Sequence, residues 1–221
     1  MKDKFKIAFK LVFGLFLFAL GVVFTINAGI GVAPWDVFHQ GVAKVTGITV
    51  GKANIYMGVV ILILGVSLGQ AVGWATICNM LLIGTFIDIL MLNNLVPVFE
   101  GVIPRLIMLI LGMIIQGIGC YFYIGVGLGA GPRDGLMVVL TNRTGKPVGI
   151  IKSAIEICAV IIGFILGGNL GIGTLIMAVF TGQVWQIVFK TLNFDVSGVE
   201  HRFIQDDIRY LKEKLNKTYP Q

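Results

Sequence analysis

The sequence predicts an all-α polytopic membrane protein made of two sequence-repeated halves, each of about four helical segments, followed by a cytoplasmic amphipathic helix. Three observations predict it. Of the 221 residues, 57% are hydrophobic and 13% charged, against about 25% charged in a soluble domain, and the mean hydropathy is +0.93. Apolar runs long enough to cross about 30 Å of hydrocarbon recur along the chain. One phrase occurs twice, as Gly29-Ile30-Gly31-Val32-Ala33-Pro34-Trp35-Asp36 and Gly127-Leu128-Gly129-Ala130-Gly131-Pro132-Arg133-Asp134, both G-x-G-x-x-P-x-D.

The first run, about Ile7 to Asn27, follows Lys2, Lys4 and Lys6. Its length and the lack of a small-residue cleavage site make it a retained helix rather than a signal peptide. The first phrase comes next. Glycine reaches φ > 0 and proline has no N–H for a helix interior, so the phrase unwinds the backbone and restarts it. Proline suits the first position of the new helix, and an acid two residues on suits its positive end. A short segment from Trp35 to about Val45 ends near Thr46-Gly47. Runs over Ala53–Leu68 and Trp74–Leu92 flank the uncharged turn Gly69-Gln70-Ala71-Val72-Gly73. Asn93 to Arg105 forms the mid-chain connection. The pattern then restarts. A run from Leu106 to Tyr123 leads to the second phrase and to a short segment from Arg133 to about Asn142, closed by Thr144-Gly145. Val148–Leu166 and a last run to about Phe189 flank the turn Gly167-Gly168-Asn169-Leu170-Gly171.

This restart is an internal repeat. The offset is 98 positions without a gap: it pairs Pro34 with Pro132, Asp36 with Asp134, Thr46-Gly47 with Thr144-Gly145, Val50-Gly51 with Val148-Gly149, and Gly84 with Gly182. The chain divides accordingly into a first membrane repeat, 1–96, a second, 97–193, and a tail, 194–221. If each short segment crosses the bilayer, the halves are parallel; if it dips in and returns, the second half is inverted. Loop charge favours crossing, because it leaves Lys44, Lys52, Arg105, Arg143, Lys146, Lys152 and Lys190 on the side of both termini. Length argues the other way, since about a dozen residues span under about 20 Å. The expectation is parallel halves, eight segments, and both termini in the cytoplasm.

In the tail, Ser197-x-x-Glu200 has capping-box spacing, and Ile204, Ile208, Leu211 and Leu215 fall on one helical face. A helix lying on the membrane or on the protein's inner surface follows; docking of a partner protein is the alternative.

Backbone unwound at membrane depth survives only inside protein or beside a cavity, so the twin phrases are the candidate substrate-binding site. Asp36 and Asp134 lead the set, facing a shared hollow; the plain alternative is that each only caps its helix. Pro34 and Pro132 start those helices. Trp35 and Arg133 hold matching positions and break the symmetry: arginine suits an anionic group, tryptophan a flat or cationic one. They could instead be an ion-pair partner and an interfacial anchor. Glu156, mid-helix, with Lys152 one turn before it, is the candidate for proton coupling, or a self-neutralising pair. Asp88 is expected to be solvated near the cytoplasmic end of its helix. Asn27, Thr76, Gln116 and Thr174 are expected to bond between helices. Cys78, Cys120 and Cys158 lack metal or disulfide spacing, and His39 and His201 are too far apart to ligate a metal. No P-loop, G-x-S-x-G or H-E-x-x-H occurs. The expectation is no catalysis, cofactor, metal or nucleic acid; the lipid bilayer and a small-molecule substrate are the expected partners, and a homo-oligomer is compatible with the glycine-rich helix faces.

At the repeated phrases and their Thr-Gly partners, the sequence resembles the YczE/YyaS/YitT group of bacterial membrane proteins, and within it the YczE-like branch. GIGVAPWDVF at 29–38, followed by Thr46-Gly47 and Val50-Gly51, carries most of the likeness, which runs from about Phe5 to Lys190. The soluble C-terminal domain of the YitT branch has no counterpart here. The resemblance implies a small polytopic protein of the bacterial plasma membrane, in a group some of whose members have been classed with drug or metabolite exporters; it implies no site residues. Two functions remain in view: a small-molecule transporter, with export as its direction, and a membrane adaptor or regulator that moves nothing.

Overall fold

A computed structural model describes residues 2–218, with side chains described for 5–196, 198–210 and 212. The described residues form nine α-helices and one 3-10 turn, with no strand. They are α1 (Lys2–Asn27), α2 (Pro34–Thr46), α3 (Val50–Ser67), α4 (Trp74–Leu92), α5 (Val102–Ile124), α6 (Pro132–Thr144), α7 (Val148–Ile165), α8 (Ile172–Thr191) and α9 (Ile204–Thr218). Six of them, α1, α3, α4, α5, α7 and α8, are long and apolar enough to cross a membrane. The other two within the apolar region, α2 and α6, have 13 residues each, or about 20 Å at 1.5 Å per residue. Each opens on a proline and stops at a glycine in left-handed conformation, Gly47 at φ +73° and Gly145 at φ +65°.

The centre of the molecule is the α1–α5 pair. Gly14 lies against Gly119 and Tyr123, while Gly21 lies against Gly112 and Gln116. The order reverses along the two helices, so they run antiparallel, and the missing side chains let their backbones touch. Leu15, Val23, Leu109 and Met113 are buried beside this seam. Helix α4 runs parallel to α1, with Phe16 edge-on to Phe86 and the Asn27 amide donating to the Val96 carbonyl. Helix α8 runs parallel to α5, where the Trp185 indole donates to the Met113 carbonyl and Tyr121 meets Phe194. Helix α3 forms an antiparallel hairpin with α4, Gly51 facing Gly84 and Gly58 facing Met80.

This arrangement corrects the expected parallel halves. With α1 and α5 antiparallel, the equivalent helices run in opposite directions, and three helices long and apolar enough to cross, α1, α3 and α4, precede the middle of the sequence, not four. The 13-residue helices are too short to cross, and the structure uses them otherwise. Helix α2 ends at the α7–α8 turn, where Lys44 Nζ lies 3.4 Å from the Gly167 carbonyl, and α6 ends at the α3–α4 turn, where the Arg143 Nε donates to the Leu68 carbonyl at 3.0 Å. Those turns lie at opposite ends of the bundle, and α2 and α6 meet between them, N-terminus towards N-terminus. The loop-charge argument failed because it treated Lys44, Lys52 and Arg105 as decisive, whereas the charges near α1, α6 and the tail outnumber them.

The tail differs from its expected start. Residues 196–198 form the 3-10 turn, and the helix begins at Ile204, where the Phe203 N–H donates to the Asp206 carboxylate at 2.9 Å. Asp206 thus satisfies one of the free donors at the helix start; Ser197 and Glu200 lie upstream of it, the Ser197 side chain being outside the described residues. Of the expected apolar face, Ile208 is exposed, and Leu211 and Leu215 have side chains outside the described residues.

Candidate functional site

The connections 28–33 and 125–131 lead into α2 and α6 on backbones that glycine makes accessible: Gly29 and Gly127 have φ of +66° and +65°, Gly31 and Gly129 +113° and +101°. Non-helical backbone needs partners at membrane depth, and neighbouring helix starts provide them. The Gly173 N–H donates to the Ile30 carbonyl at 2.7 Å, and at the positions 98 residues before Gly173 and 98 after Ile30 the Ala75 N–H donates to the Leu128 carbonyl at 2.9 Å. Thr174 Oγ1 accepts from the Val32 N–H at 3.1 Å, and Thr76 Oγ1 donates to the Ala130 carbonyl at 2.6 Å. Each connection is therefore stitched to the first turn of a long helix from the other part of the chain.

What these connections position is a small polar cluster where α2 and α6 begin. Arg133 donates to Nε2 of His39 at 2.9 Å, and its guanidinium carbon lies 4.7 Å from the centre of the Trp35 ring. Arginine can only donate, so Nε2 accepts and the ring proton sits on Nδ1. That nitrogen faces Asp36 Oδ1 and Asn54 Nδ2, each at 3.5 Å. Asp36 and His39 are both buried. The result is a row of alternating partners, Asp36, His39, Arg133 and the Trp35 face, joining α2 to α6.

Beside it opens a cleft of about 40 Å³ lined by Trp35, Arg133, Asp134, Met137, Lys152, Ile155 and Glu156. That is room for a few waters, each needing at least roughly 10–15 Å³ by the same measure. Lys152 Nζ lies 3.9 Å from Glu156 Oε1. Five of the eight sequence-derived candidates thus line one cleft. Asp36 does not; it lies behind the cleft on His39. Pro34 and Pro132 are buried at the starts of α2 and α6 and present no polar group. Arg133 bonds a histidine and stacks on the indole, instead of pairing directly with an aspartate.

Sequence reasoning missed His39. Its signal was the i, i+3 spacing from Asp36, which puts both on one face of a short helix. Asp88, expected to be solvated, instead caps α3: its carboxylate accepts from the Thr49 hydroxyl at 2.5 Å and the Gly51 N–H at 2.8 Å. A carboxylate there meets the positive end of the helix. On the opposite side, the tail reaches the second connection. The Arg202 N–H donates to the Gly127 carbonyl, the Gly129 N–H donates to His201 Nδ1 at 3.3 Å, and the Trp74 indole donates to Asp207. Burial lowers the His201 pKa below its usual 6.5.

Residues 5–190 match the family of unknown function DUF6198. The chain is 36% identical over 175 residues to the uncharacterized membrane protein YczE of Bacillus subtilis, covering 77% of this chain and 80% of that one. It is 31% identical over 182 residues to an uncharacterized protein of Haemophilus influenzae, covering 82% and 83%. With the uncharacterized protein YyaS of Bacillus subtilis it shares 23% identity over 182 residues, covering 79% and 88%. No solved structure matches it.

Proposed function

We infer a function on this premise: the chain belongs to the YczE-like family of unknown function (DUF6198), multi-pass membrane proteins, whose description names no activity. The reading is a small-molecule transporter, with export as its direction, built from duplicated halves of inverted topology. Each half is a long helix, a connection that breaks it, a short re-entering helix and a hairpin.

One observation carries this reading. Two short helices aim their N-termini at a single cluster of charged and aromatic side chains, with Asp36 and His39 buried, Trp35 and Arg133 half-buried, and Asp134 exposed in the water-sized cleft beside it. Interrupted helices meeting at the bilayer midplane are the usual place for a substrate in transporters with internal repeats. Charged groups are expensive there without such a use. In this reading Arg133, Asp134 and Trp35 touch the substrate, Asp36 and His39 hold Arg133 in place, and Glu156 with Lys152 couples a proton. The cleft widens in another conformation to admit more than water. No catalytic step or cofactor is part of the reading; its partners are the lipid bilayer and the transported molecule. Lys6, Lys10, Arg143, Lys146 and Lys190 at one end of the bundle outnumber Lys44, Lys52 and Arg105 at the other, a charge bias that supports both termini lying in the cytoplasm of a bacterial inner membrane.

The test uses proteoliposomes loaded with a bacterial metabolite extract, with mass spectrometry of what leaves. Transport predicts a compound released by the wild type and retained by a folded Asp134→Asn variant. Equal release from that variant removes the site. An adaptor predicts no release at all, and a cellular phenotype that follows deletion of residues 195–221.

A further inference from the structure

The hairpins α3–α4 and α7–α8 carry the same packing glycines, yet one is shut and the other stands open. In α3–α4, Gly51 and Gly84 are both buried, each backbone so close to the other's carbonyl oxygen that neither position has room for a Cβ. The glycines 98 positions on, Gly149 and Gly182, are both exposed, and a Cβ at either would meet nothing within 4 Å. The remaining contacts are complementary in size. In the shut hairpin Gly58 faces the Met80 side chain, 2.7 Å from where a Cβ would stand. The matching positions are Glu156 and Ala178, so the small and the large residue change places between the two hairpins. A seam never meant to close would have no reason to keep both a glycine pair and this exchange.

The two helices of the open hairpin meet each other at one end only; farther along, α8 rests on α5, where the Trp185 indole donates to the Met113 carbonyl. Near its turn, the Gly168 N–H bonds the Gly163 carbonyl, the Gly173 N–H bonds the Ile30 carbonyl, and Gly163 packs on Phe38 of α2. The helices diverge from there towards the end where α7 begins and α8 finishes. Helix α7 also brings Lys152 and Glu156 to the cleft, so any swing of α7 against α8 reshapes it.

We propose that the α7–α8 seam is a gate that closes as α3–α4 is now closed, and that its closing accompanies the opening of α3–α4. This deepens the transporter reading and rests on its duplicated, inverted halves: exchanging the two hairpin conformations turns a site open to one side into a site open to the other. The latch of the shut gate is Asp88, which holds Thr49 and Gly51. Its counterpart is Gln186, whose carbonyl can accept from the Gly149 N–H, while Pro147 replaces Thr49 and offers no hydroxyl. The second gate therefore has the weaker latch, in keeping with its standing open.

Disulfide trapping in native membranes tests this in the full chain with Cys78, Cys120 and Cys158 replaced by alanine or serine. One pair is Thr49→Cys with Asp88→Cys, the other Pro147→Cys with Gln186→Cys. The expected result is an intramolecular disulfide from either pair alone, and at least a tenfold loss of the second disulfide when the first is already formed in a four-cysteine chain. Three results overturn the proposal: no disulfide from the Pro147/Gln186 pair, links only between two chains, or both disulfides together in one chain. Because Asp88→Cys removes a cap, spin labels at Ile157 and Val179 give a second measurement that leaves the latch intact. Two distance populations support the gate, and one long population overturns it. Neither readout needs a substrate, so failure here leaves the release assay to judge transport by itself.

Discussion

Arg133 is the residue on which the polar cluster turns, since it ties α6 to both Trp35 and His39 of α2. His39→Ala removes the acceptor of a half-buried guanidinium N–H, and a lost hydrogen bond of this kind to a charged group is worth up to about 1–3 kcal/mol, less where water can replace the acceptor. The expected outcome is a lower melting temperature in detergent, with Arg133→Lys also destabilising because an ammonium cannot stack flat on an indole and reach the imidazole together. Unchanged melting of both variants would mean the row of partners contributes nothing. Another histidine gives a pH dependence. His201 accepts the Gly129 N–H only when neutral, and burial lowers its pKa from 6.5. A histidine whose folded pKa is depressed stabilises the docked tail fully above the free value, and that contribution is lost as pH falls through the lowered one. The protection factors of the amides at residues 127–131 should therefore fall as pH drops below the free value of 6.5, and in His201→Ala they should be low at all pH values. The aspartates and the Trp35/Arg133 exchange were legible in the sequence because the repeat marks them. The histidine partner was not, because a single i, i+3 pair looks like any helical spacing.

At the level of elements, the helices could be read closely: Trp74–Leu92 has the expected limits, and each short helix starts on its proline. What the sequence cannot mark is whether a glycine on a helix is touching anything. Gly84 and Gly182 look alike in sequence and differ wholly in surroundings. Gly84→Ala forces a methyl group onto the Gly51 backbone, and overpacking of that kind costs about 1–3 kcal/mol. Gly182→Ala meets no atom and replaces a poor helix former, a gain of up to about 1 kcal/mol. Thermal unfolding should show a marked fall for the first and no loss for the second; equal losses would mean α7 and α8 are packed together in solution. The asymmetry also appears as burial: half of the spanning window of α5 is buried, but 17% of those of α7 and α8.

For the whole molecule, the outcome hinged on parity, and here two sequence rules conflicted. Helix length decided it over loop charge, since a 13-residue helix falls about 10 Å short of the hydrocarbon thickness, whereas a few basic residues on the far side cost comparatively little. The prediction is direct. In spheroplasts of a cysteine-free chain, Lys52→Cys should react with a membrane-impermeant maleimide from outside, and Arg143→Cys only after lysis. Eight crossings would leave both unreactive until lysis. The glycine seam between α1 and α5 was visible in sequence as small residues at helical spacing, but its direction was not, because Gly14, Gly21, Gly112 and Gly119 fit a parallel pairing equally well on paper.

The indole stacked under the guanidinium also means that the contact works only as a mixed pair. Trp35 and Arg133 are unlike partners that meet across the starts of α2 and α6. Trp35→Arg would set two guanidinium groups side by side, where like charges repel. Arg133→Trp would leave Asp36 and His39 facing an indole with no cation beside them. Either change spoils the match from one side, and neither can be mended by altering the helix that was left alone.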